Sequence, residues 1–160
     1  MLLEDQDRSR WNQAEIQEGI RLLDRALQRG APGPYQLQAA IAAVHAQAWA
    51  VARTDWGSIA ALYGQLLEVS PSPVVALNRA VAVAMAEGPR AGLQLIDQIG
   101  DSEDLQRYHP LHAARPDLLR RLGRLQEAAA AYRRALELAV NPADRRFLAG
   151  RLRSVEGPRD

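Results

Sequence analysis

The stretch Leu122-Gly123-Arg124-Leu125-Gln126-Glu127-Ala128-Ala129-Ala130-Ala131-Tyr132-Arg133-Arg134-Ala135-Leu136-Glu137-Leu138 decides how the rest of the chain reads. Gly123 supplies the conformational freedom of a tight turn, and the residues after it are almost all strong helix formers. Ala128 and Ala135 are small enough for a partner helix to come close, and Tyr132, one turn from each, is large enough to fill the gap to the next helical pair. Weaker copies lie upstream: Trp56, Ile59, Tyr63, Leu66, Leu67, Glu68, Val69 and Pro71 form one, and Ile20 to Leu27 a fainter one.

Apolar residues recur at helical spacing, as Ile16, Ile20, Leu23 and Leu27, and again as Ile59, Leu62, Leu66 and Val69. Breakers interrupt the pattern at Gly30 to Pro34, Ser70 to Pro73, Gly88-Pro89, Gly100 to Asp104, Gly123 and Asn141-Pro142. They predict an all-α fold of about eight helices with short connections, so that neighbours run antiparallel. Ser9, Thr54 or Asp55, and Asn141 ahead of Pro142 and Asp144 are the expected caps. Pro110 can open a helix, whereas Pro116, six residues on, removes a backbone donor from the apolar pattern of Leu111, Leu118 and Leu122. A kink or break is expected there.

The 160 residues are 48% hydrophobic but only 5% aromatic, so a continuous core of one domain over residues 1–160 must be mostly Ala and Leu. Twenty basic residues, all of them Arg, meet nineteen acidic ones. A net charge of +1 argues against a surface made for nucleic acid, which needs concentrated positive charge. The absence of cysteine rules out disulfides, thiolate zinc sites and thiol catalysis. No stretch approaches the ~20 apolar residues of a membrane span, and Leu2-Leu3 runs into the acidic Glu4-Asp5-Gln6-Asp7 rather than a signal sequence. These features predict a cytoplasmic protein.

The segment from Leu122 to Leu138 resembles the second helix of a tetratricopeptide repeat. More specific likenesses follow in order: Leu3 to Trp11, Gly33 to Ala43, Thr54-Asp55-Trp56, Ser72 to Ala82, and His112-Ala113-Ala114-Arg115 followed by Leu118 to Gly123. Together they resemble the C-terminal extension of bacterial extracytoplasmic-function sigma factors, in the group associated with small DGPF or YCII-related proteins. The resemblance spans residues 3 to 153. It implies an α-α superhelix of tetratricopeptide-like hairpins, and a regulatory protein-interaction domain that acts on transcription initiation by contacting the sigma core, RNA polymerase or another regulatory protein. The family carries other residues in place of Pro110 and Pro116. Sigma regions 2 and 4, which bind polymerase and promoter DNA, are absent from these residues, so no direct DNA binding is expected of them, and the chain begins at Leu2 as an excised domain with an added Met would. A free-standing scaffold that binds a peptide or helix of an unrelated protein would show the same repeat pattern. An exposed apolar face would also allow a homodimer.

Candidate contacts divide between packing and recognition. Asp5 and Asp7 suit an acidic helix start or a basic neighbour, with Arg8, Arg10 and Trp11 beside them as anchors of such a junction. Asn78 and Arg79 interrupt an apolar helix and must either bond a neighbouring hairpin or line a groove, and Tyr35, Gln36 and Gln38 pose the same choice. Trp49 and Trp56 read as packing anchors. His112 and Arg115 lie in a family-like segment. His109 and His112 are three apart, but Pro110 stands between them and no carboxylate completes a metal set, so packing or surface roles are the simpler reading for them and for His45. With no nucleophile and base at recognisable spacing and no phosphate-binding glycine loop, neither an enzyme nor a cofactor is expected.

Overall fold

A computed structural model describes residues 32–48, 53–99 and 109–157, together with residues 14, 17, 18, 21, 25, 28 and 30. Seven helices and no strand are present among the described residues: α1 Pro34–Gln47, α2 Trp56–Val69, α3 Pro73–Glu87, α4 Pro89–Ile99, α5 His109–Arg121, α6 Leu125–Leu138 and α7 Pro142–Glu156. Ala14, Gln17, Glu18, Arg21 and Arg25 are also helical. The described part of the protein is therefore all-α, and no described helix is long and apolar enough to cross a membrane.

The boundaries follow from local chemistry. At α2, Asp55 Oδ1 accepts the Ser58 amide at 3.0 Å while the Ser58 hydroxyl donates to Oδ2 at 2.7 Å. At α3 the Ser72 hydroxyl accepts the Val74 amide, and at α7 Asn141 Oδ1 accepts the Ala143 amide at 2.8 Å; a first-turn proline follows each cap. These caps satisfy amides that a helix start leaves without partners. Gly88, at φ +106°, reverses the chain between α3 and α4. Gly123, at φ +75°, ends α5: its amide reaches the Arg120 carbonyl and the Arg124 amide the Leu119 carbonyl, both at 3.0 Å. That pair of bonds is the Schellman motif, whose left-handed residue favours glycine.

Of the kink or break expected in α5, the break does not occur. Pro110 occupies the first turn, where no intrahelical donor is needed, and the helix continues through Pro116. The Pro116 ring is fully buried. Its burial and the helix on both sides offset a missing backbone bond that would cost roughly 3 kcal/mol in an exposed helix.

Each helix packs on its neighbours in sequence, and the further contacts skip one helix, α3 to α5 and α5 to α7. Two cores result. Leu37 and Ile41 from α1, Ile59 and Leu66 from α2 and Ala82 from α3 form the first. Leu77, Ala80 and Ala84 from α3 join Leu93, Ile96, Leu118, Leu119, Ala128, Tyr132, Ala135, Ala139 and Leu148 in the second. α3 is thus a wall common to both cores, which explains why its apolar residues run all round it.

Candidate functional site

Among the described residues, the sequence-predicted contact residues do not gather into one site. Asp5, Asp7, Arg8, Arg10 and Trp11 lie outside the described residues, as does Ser9. His112 falls in α5, but its side chain, like that of His109, is outside what is described. Tyr35 and Gln38 stand on the exposed side of α1, three residues apart, while Leu37, Ala40 and Ile41 point to the core. Tyr35 is 90% exposed, an unusual position for a large aromatic ring. Arg115 is engaged within the fold: its Nε donates to Asp97 Oδ1 at 3.0 Å and ties α5 to α4. Both side chains are substantially exposed, so this tie adds little stability.

Asn78 and Arg79 are both half-buried on α3, and Arg79 lines a concavity formed by described residues. A groove of about 450 Å³ opens between the C-terminal ends of α2 and α4, with α3 as its floor. Leu67, Pro71, Ala76, Leu95 and Ile99 give it an apolar lining, and Arg79, Ser72 and Gln98 supply its polar groups. The Pro71-Ser72-Pro73 turn was legible as a breaker, whereas the groove also requires Leu95 and Ile99 from α4, which no local pattern brings to it.

A second polar cluster was missed in the sequence. Asp117 Oδ1 accepts from Arg120 Nη2 at 2.7 Å and from Nε at 3.1 Å, and the buried Tyr132 ring lies against this pair. Burial, then the Asp117 carboxylate, push the Tyr132 hydroxyl above its usual range, with Arg120 and Arg151 acting the other way. The hydrogen bond from Arg120 to Asp117 in turn strengthens the arginine's hold on its proton. The i, i+3 spacing of Asp117 and Arg120 was the available signal. The Tyr132 ring is buried, as its spacing predicts, whereas Asp117 and Arg120 each keep about a third of their side-chain surface exposed. Among the described residues no group of three or more His, Cys, Asp or Glu side chains converges to hold a metal.

Comparison with known proteins adds one relative. Over 148 residues, 92% of its length, the chain is 47% identical to an uncharacterised protein of Rhizobium meliloti. It spans about a third of that protein, 34% of its length. No family model and no solved structure matches the chain.

Proposed function

We propose that this chain is the tetratricopeptide-like, protein-binding part of a longer cytoplasmic transcription factor of the extracytoplasmic-function sigma class, and that it acts by contact rather than by catalysis. The observation that carries the interaction role is the repeat of helical hairpins. First helices begin at residues 34, 73, 109 and 142 and second helices at 56, 89 and 125, steps of 33 to 39 residues. Tetratricopeptide units repeat at about 34 residues. Contacts that skip one helix join α3, α5 and α7, as expected where first helices line one layer of a superhelix. The helical residues between Ala14 and Arg25 are consistent with an eighth helix ahead of these seven.

The sigma-factor assignment rests on the ordered likenesses from Leu3 to Gly123, and a relative about three times as long is compatible with a domain that works as part of a larger protein. In that setting the hairpins dock on the sigma core or on a regulator and set whether the promoter-binding regions are competent. Deleting these residues from the full-length factor and measuring promoter-specific transcription tests this. Changed output or lost control is expected; unchanged output together with unchanged control overturns it. The half-buried arginine of the α2–α4 groove also favours the scaffold reading, in which the same surface holds a peptide of an unrelated protein. Coding sequence for sigma-type helices upstream of Leu2 would separate the two readings.

A further inference from the structure

Arginine is the only cation this chain uses besides its termini and histidines, and most described arginines have a partner. Arg115, Arg120, Arg124, Arg133 and Arg134 pair with carboxylates, Arg145 holds two backbone carbonyls, and Arg151 lies over the Phe147 ring. Arg90, Arg146 and Arg153 have none among the described residues, but all three are exposed and water serves them. Arg79 differs. It is half-buried, and among the described residues it has neither a hydrogen-bonded partner nor an ion pair. Its stem crosses α2 where Gly64 leaves room: a Cβ on Gly64 would stand 3.7 Å from Arg79 Nε. Glu68, one turn beyond Gly64, is exposed and forms no ion pair with it.

Arg79 thus brings a guanidinium with no counter-charge among the described residues to the wall of an apolar groove, and a carboxylate that enters the groove can accept its forked donors. Around it, Leu67, Pro71, Ala76, Leu95 and Ile99 offer an apolar surface in an open groove of about 450 Å³, large enough for one or two aliphatic side chains. We propose that the α2–α4 groove binds a partner-protein segment presenting a leucine-sized side chain beside a glutamate or aspartate, with Arg79 pairing the carboxylate. This rests on the interaction role proposed above and names the surface that performs it.

The test uses the full chain and an immobilised array of short peptides in which leucine and glutamate positions are varied, each glutamate also replaced by glutamine as a control. Affinities of retained peptides are then measured by fluorescence anisotropy. Glutamate peptides should bind the native chain and lose roughly tenfold or more in affinity with Arg79→Gln, while their glutamine counterparts bind both proteins alike. Arg79→Lys should restore part of the loss, because charge returns without the fork. Ala76→Trp should close the groove and abolish binding; circular dichroism establishes that each variant is folded. Equal binding of glutamate and glutamine peptides, or no loss on Arg79→Gln, overturns the proposal. So does retention of octanoate with no peptide bound, since the occupant is then a small acid. The wider reading is judged separately: a transcriptional effect of deleting the domain, with no peptide retained, leaves the interaction role standing and removes this groove from it.

Discussion

The N-terminal core is made almost wholly of large side chains, whereas the C-terminal core sets five alanines among its seven large ones. Leu37, Ile41, Ile59 and Leu66 fill the first, whereas five alanines surround Tyr132 and the leucines of the second. Large side chains hold helices together by the apolar area they remove from water, so truncation is what harms them. Small ones hold helices together by permitting close approach, so enlargement is what harms them. α3 belongs to both regimes, with Ala82 turned to one core and Leu77, Ala80 and Ala84 to the other.

The largest effect should come from truncation in the first core. Ile59 is fully buried, and Ile59→Ala should cost about 3 kcal/mol in urea unfolding; a cost under about 1 kcal/mol would mean that the N-terminal core collapses around the gap. Enlargement in the second core should come next. A Cβ on Gly92 would fall against Ala84 Cβ and within 2.7 Å of the Ala80 carbonyl oxygen, so Gly92→Ala should cost about 2 kcal/mol although alanine is the better helix former. A stabilised Gly92→Ala would break the contrast between the cores.

Much of this contrast lay outside the sequence pattern. Breakers placed the starts of α1, α3, α4 and α7, because each begins with a proline that suits a first turn and nothing deeper. The capping roles of Asp55 and Asn141 and the turn at Gly123 were legible for the same local reason. Burial of Ala128, Tyr132 and Ala135 followed from their spacing. Val69, by contrast, continues the apolar period of α2 yet is 52% exposed at the last residue of the helix. Of the kink or break expected at Pro116, the break is absent, because a rule for exposed helices does not count what a buried ring gains. The groove was invisible because Arg79 meets its apolar walls only after α4 has folded back on α3.

Smaller predictions sharpen the picture at the helix ends and in the core. Removing the α7 cap with Asn141→Ala should cost about 1 kcal/mol, read from the same unfolding curves. At α2, the Ser58 amide, and after it the Ser58 hydroxyl, hold the Asp55 carboxyl below its ordinary value of 3.8. Because the folded form has the lower pKa, the cap contributes fully above that ordinary value and fades as pH falls through the lower folded one. The stability difference between the native chain and Asp55→Asn should therefore narrow on acidification through that window and stay flat near neutrality. Least of all should be Tyr132→Phe. The hydroxyl is buried with no partner at bonding distance among the described residues, so its loss should change stability by less than about 1 kcal/mol, in the stabilising direction if at all. A substantial destabilisation would show that the Arg120–Asp117 pair depends on it.

The double allegiance of α3 has a consequence for anyone who would cut the chain. A fragment ending at Glu87 carries Leu77, Ala80 and Ala84 with nothing to cover them, and one that begins at Pro89 lacks the wall on which α4 and α5 rest. Neither half is a self-sufficient piece. Expressed together, the halves should find each other through that bare stripe and rebuild the whole, so the joint at Gly88-Pro89 is a place where the molecule can be split into two reporters that work only in company.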